Sequence, residues 1–135
     1  MLCFAGDLQL RAVLEAALEA VRSLDLSLAD EAPLAVVIEE LIVNLFEHGG
    51  LGCDGRIEFS LRRSVSGVHV RIADSGSPFD PRCADSPEVP ERGGGAGLAI
   101  VQRLANIVDY EPGPPLNRLA LIVRPVDLDA RGAPS

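Results

Sequence analysis

Glu40, Asn44 and His48 are spaced four residues apart within Val37–Gly49. On a helix that spacing makes one stripe. Around the stripe, Val36, Val37, Ile38, Leu41, Ile42, Val43, Leu45 and Phe46 are apolar almost all the way round. Such a helix is predicted to be buried on several sides. A carboxylate and an amide there are costly unless something polar meets them. A hydrated metal ion carrying phosphates would match: the amide offers a neutral oxygen to a hard cation, and the carboxylate can accept a proton. Local capping or pairing of Glu40 and Asn44 would satisfy them equally well, and this stretch alone leaves both readings open.

Two further stretches carry chemistry. Asp74-Ser75-Gly76-Ser77-Pro78-Phe79-Asp80 comes directly off a predicted strand end. From Ser75 to Gly95 there is little periodicity, and loops of that length inside compact domains are usually functional or disordered. Gly93-Gly94-Gly95-Ala96-Gly97 then closes the loop ahead of an apolar helical pattern. A helix start presents free N–H groups and the positive end of the dipole, and glycine lets a backbone approach an anion closely.

The elements that must position these residues follow from periodicity. Met1–Gly6 reads as a brief edge strand. Asp7 is a candidate cap for a helix carrying Leu10, Val13, Leu14, Ala17, Leu18 and Val21, with Arg11, Glu15, Glu19 and Arg22 on its wet side. Asp30 is a candidate cap for the second helix, with Pro33 in its first turn and Gly49-Gly50 as its stop. Ile57, Phe59 and Leu61 alternate with polar residues, as do Val68, Val70 and Ile72, which gives an antiparallel hairpin around Ser64–Gly67 with one wet face. His69 falls on that polar side. Leu98, Val101, Ala105 and Val108 predict a third helix, Asp109–Asn117 a turn region, and Leu119–Val123 a strand buried on both faces. The layout predicts an α/β fold: a two-layer sandwich of a mixed, mainly antiparallel sheet with helices on one face.

The 135 residues suggest one domain, over 1–126, with a polar tail over 127–135. A hydrophobic share of 47% permits a packed core. The net charge of −8 argues against a nucleic-acid or anionic-membrane surface, though not against a small local anion site. Cys3, Cys53 and Cys83 lack metal-ligand spacing and read as free thiols of a reducing compartment. With no leader-like or membrane-length apolar run, a cytoplasmic location is expected.

Taken together, the order is Glu-x-x-x-Asn on a helix, Asp-x-Gly at a strand end, then a glycine-rich turn into a helix. This order resembles the N, G1 and G2 boxes of the GHKL ATPase superfamily, whose fold is the Bergerat, or histidine-kinase-like ATPase, fold. A Walker-type P-loop is absent, and the chain has no lysine. Glu40–Asn44 followed by Glu47-His48-Gly49, Asp74–Pro81, Gly95–Val101, and Asp109-Tyr110 with Asn117-Arg118-Leu119 look most like the RsbW-like anti-sigma-factor serine/threonine kinases. The resemblance covers roughly Asp7 to Arg124. The chain departs from the pattern in its short first strand and in Pro78, where many superfamily members carry glycine.

The resemblance implies ATP and Mg²⁺ as ligands. Asn44 would ligate Mg²⁺, and Glu40 would be the general base for an incoming serine hydroxyl. Asp74 would accept a hydrogen bond from the adenine amino group, and Gly76 would let the adenine lie close to the backbone. Gly93, Gly94, Gly95 and Gly97, with Leu98 beside them, would flank the phosphates, and Arg92 would reach the γ-phosphate. His48, near its helix end, is assigned a structural role. The implied partners are a sigma factor and a small anti-sigma-factor antagonist, with no direct nucleic acid and no membrane. A homodimer stays open, since such relatives dimerise. Two other functions remain: a nucleotide-gated partner-switching module without kinase turnover, and a detached histidine-kinase catalytic domain. The second is weighed lower because only one helix precedes the N box.

Overall fold

The computed structural model describes residues 1–51, 54–79 and 93–125, with 93–96 described by backbone alone. Period-two alternation builds the sheet. Leu2, Phe59, Ile72 and Leu119 stand in one cross-strand row, and Phe4, Ile57, Asp74 and Asn117 in the next. Side chains along such rows share one face. The strands are β1 (Leu2–Gly6), β2 (Gly55–Ser64), β3 (Gly67–Asp74), β4 (Ala105–Glu111) and β5 (Asn117–Val123). They pair in the order β1-β2-β3-β5-β4, antiparallel throughout, where the sequence predicts a mixed, mainly antiparallel sheet.

Three helices cover one face of this sheet: α1 (Leu10–Arg22), α2 (Leu28–His48) and α3 (Gly93–Leu104). The expected two-layer α/β sandwich is therefore the fold. Helix α2 packs against both α1 and α3. Its Leu34, Val37, Ile38 and Ile42 are fully buried with Ile57, Val70 and Leu121 of the sheet. Each such side chain contributes roughly 1.5–3 kcal/mol on leaving water. Their burial fixes α2 in place and, with it, the Glu40/Asn44 stripe. Among the described residues, no helix is long and apolar enough to cross a membrane.

Local details depart from the sequence reading. The cap of α2 is Ser27, whose Oγ accepts the Asp30 N–H at 3.2 Å. Asp30 lies in the first turn instead, where its charge suits the dipole. Helix α1 starts after Gln9, without a side-chain cap, and not at Asp7. Pro33 lies one turn deeper in α2 than expected. The largest difference is β4. The helical pattern was expected to run to Val108, yet α3 stops at Leu104 and Ala105–Glu111 pairs with β5. Ile107, Val108 and Tyr110 suit a pleated surface, and the open edge of β5 supplies the partner that local periodicity cannot show. In β5, Ala120 and Ile122 are only half-buried, so one face is core and the other is not. The tail over 127–135 lies outside the described residues, as do Cys53 and Cys83; Cys3 is a free, exposed thiol.

Candidate functional site

Asp74 ends β3 and stands in register with Asn117, which opens β5. Both face the helix layer and are buried, at 8% and 3% exposure. The Asn117 amide nitrogen donates to Asp74 Oδ2 at 3.2 Å and to the Gly76 carbonyl at 2.9 Å. Its oxygen accepts the Gly113 N–H at 2.7 Å. The Gly76 N–H also donates to Asp74 Oδ2, at 2.8 Å. Both hydrogen bonds thus fall on one carboxylate oxygen; among the described residues, Oδ1 is left to accept from a ligand. Burial pushes the Asp74 carboxyl above its usual range, while the Gly76 N–H and the Asn117 amide pull it back by favouring the charged form.

The segment after Asp74 is held residue by residue. Ser75 exchanges bonds with Arg56: its N–H donates to the Arg56 carbonyl at 3.1 Å, and its Oγ accepts the Arg56 N–H at 2.8 Å. The Ser77 N–H donates to the carbonyl of Gly49, the C-cap of α2. The Phe79 N–H donates to the Tyr110 hydroxyl at 2.8 Å. Gly76 is pressed so closely against the Gly49 carbonyl that a Cβ there would collide with it. Its lack of a side chain is required by the chain's own backbone.

These contacts wall a cavity of about 280 Å³. Asn44, Leu45 and His48 come from α2, Leu98 from α3, Asp74 from β3 and Tyr110 from β4, and Ser77–Phe79 form its rim. The Asn44/His48 part of the predicted stripe therefore faces the cavity, and His48 belongs to its wall. Glu40 lies one helical turn away and is not among the lining residues. Its carboxylate rests against Gly97, and a Cβ at Gly97 would strike it. Gly93, Gly94 and Gly95 form the first turn of α3 instead of a loop before it, and Gly97 is its fifth residue. Leu98 is buried at 3% exposure. Arg92 lies outside the described residues. Among the described residues, no group of three or more His, Cys, Asp or Glu side chains could hold a metal. A larger recess, about 450 Å³, lies on the uncovered sheet face around Ser60, Arg71 and Arg118; it contains none of the predicted site residues.

Two residues of this site escaped the sequence reading in their roles. Tyr110 and Asn117 fell in the expected Asp109–Asn117 turn region and counted towards the resemblance, but neither was given a role in the site. An Asn directly opposite an Asp can be found once register is known, because a one-residue slip would send it to the other face.

The molecule is thus a two-layer α/β sandwich with a buried carboxylate at a strand end, beside a cavity that α2 and α3 also line. The chain matches the family model described as Histidine kinase-like ATPase domain over residues 5–123, and it belongs to that family. Among solved structures, the Acinetobacter baumannii histidine kinase AdeS aligns with a TM-score of 0.50 at 17% identity, covering 94% of this chain and 69% of that one. The histidine kinase domain of the Erythrobacter litoralis EL346 blue-light activated histidine kinase aligns at 0.46 and 19% identity over 84% of this chain. A second Erythrobacter litoralis EL346 blue-light activated histidine kinase chain aligns at 0.49 and 19% over 90%. This chain spans 64% and 43% of those two Erythrobacter chains. At such identities the likeness concerns the fold alone. Among proteins of curated function, none matches the chain.

Proposed function

We propose that this domain binds ATP in the 280 Å³ cavity and acts as an RsbW-like anti-sigma regulatory factor, phosphorylating a serine or threonine of a small antagonist protein. The observation that carries the nucleotide reading is Asp74: a buried carboxylate, oriented through one oxygen, with the other available to accept from an amino group such as that of adenine. Family membership supports the same reading. Asn44 lines the cavity, and its side-chain amide makes no hydrogen bond among the described residues, which suits a neutral oxygen ligand for Mg²⁺. The ion would neutralise phosphate charge, and with so few protein ligands on offer it would keep waters and phosphate oxygens in its shell. Glu40, on the same stripe, would take the proton of the attacking hydroxyl. The sigma factor and its antagonist are the proposed partners.

One observation favours a second reading. Glu40 packs on Gly97 outside the cavity wall, as suits a domain that switches partners on binding nucleotide without turning it over. γ-labelled ATP with Mg²⁺, incubated with the protein and a soluble extract of its own cells, separates the two. Acid-stable label on a small protein, lost in Glu40→Gln while ATP binding persists, is the expected result. Unchanged transfer in Glu40→Gln would remove Glu40 as the base. ATP binding without any transfer would leave the partner switch. Acid-labile label would point to histidine phosphorylation instead.

A further inference from the structure

We propose that Tyr110 is a positioning residue of this cavity, aimed into it by a β-bulge at Val108 and fixing its rim through the Phe79 N–H. This rests on the reading of the cavity as a nucleotide site. In β4, Ile107 pairs with Leu121 on the helix-covered face. Simple alternation would then turn the third residue on, Tyr110, to the uncovered face. The register shifts between Ile107 and Asp109, leaving Val108 as the extra residue. Asp109 then falls opposite Ala120, and Tyr110 opposite core-facing Leu119. Bulges that re-aim a side chain occur beside functional sites.

What the bulge achieves is specific. The Tyr110 ring packs against the core, and its hydroxyl accepts the Phe79 N–H at 2.8 Å. Tyr110 and Phe79 both line the cavity. Phe79 is 43% exposed, so this bond does not serve to anchor a buried side chain. Among the described residues, the other N–H bonds of Ser75–Phe79 go to backbone carbonyls or to Asp74; this one ties the rim to the edge strand of the sheet. A wall held by a rigid, core-packed ring keeps its geometry before the ligand arrives, which lowers the ordering cost of binding.

The chain supplies its own probe. Tyr110 is the one tyrosine and there is no tryptophan, so intrinsic near-ultraviolet emission reports chiefly from this ring. Tyr110→Phe keeps the ring and removes the hydroxyl. In the wild type, added ATP should change the tyrosine emission. In Tyr110→Phe, ATP should dissociate faster and bind roughly 2- to 10-fold more weakly, the scale of one net hydrogen bond. Exchange of the Phe79 amide, followed by NMR without ligand, should accelerate in the variant. A merely structural role would lower the melting temperature and leave ATP dissociation unchanged, and that result overturns the proposal. So does a wild type that binds ATP by calorimetry with silent tyrosine emission. A wild type that binds no ATP defeats the nucleotide reading and this role with it; that failure is distinguishable because it appears before any substitution is made.

Discussion

Asp74 carries opposed demands at the scale of a single residue. The sheet buries its carboxylate, which raises its affinity for a proton, while Gly76 and Asn117 hold the charged form. The folded chain therefore holds this proton more tightly than the unfolded chain. Its contribution to stability is full below the ordinary carboxyl value of 3.8 and is lost as pH rises through the higher folded value. At neutral pH an ionised Asp74 thus costs stability. Asp74→Asn, whose amide oxygen can still accept from Gly76 and Asn117, should match or exceed the wild type in thermal denaturation at neutral pH. It should lose ATP affinity, because its amide nitrogen would present a donor to a donor. Wild-type ATP affinity should also fall on acidification, beginning above the usual carboxyl range, and calorimetry across pH would record it. A variant that is less stable yet binds ATP normally would make Asp74 a structural residue.

At the scale of elements, the site depends on how closely α2 approaches α3 and the segment after β3. Gly97 and Gly76 mark the two contacts, and they should respond differently to alanine. At Gly97 the new methyl would meet the end of the flexible Glu40 side chain, which can swing aside. Alanine also suits a helix interior better by about 1 kcal/mol. Gly97→Ala should therefore melt within a few degrees of the wild type while phosphate transfer falls about tenfold or more, because the carboxylate has moved. At Gly76 the methyl would meet the Gly49 carbonyl, backbone against backbone, and neither can retreat. Gly76→Ala should cost roughly 1–3 kcal/mol in denaturant unfolding. Equal effects at the two positions would mean that Glu40 is not free to move. The stripe on α2, the β2–β3 hairpin and the position of Asp74 at a strand end were legible because each rests on local periodicity. Strand β4 was not legible. Its residues continue the helical spacing of α3, its pairing partner lies beyond a turn, and the bulge at Val108 breaks the alternation that would have revealed a strand. The role of Asn117 needed register, which a single strand pattern does not give. Gly93–Gly95 were legible as a helix start, but not as residues inside the first turn.

At the scale of the molecule, a five-stranded antiparallel sheet and three helices bring residues as far apart in sequence as Asn44 and Tyr110 to one cavity, in a protein of net charge −8. An acidic chain that binds a polyphosphate needs local help: a helix start, a neutral amide and a counter-cation. The proposed function therefore requires metal-dependent, adenine-selective binding. Titration calorimetry with ATP, in Mg²⁺ and after chelation, with GTP as control, tests it most directly. Saturable heat with ATP, much weaker binding once Mg²⁺ is removed, and little response to GTP are predicted. No binding of ATP with or without Mg²⁺, or equal binding of GTP, would contradict the account.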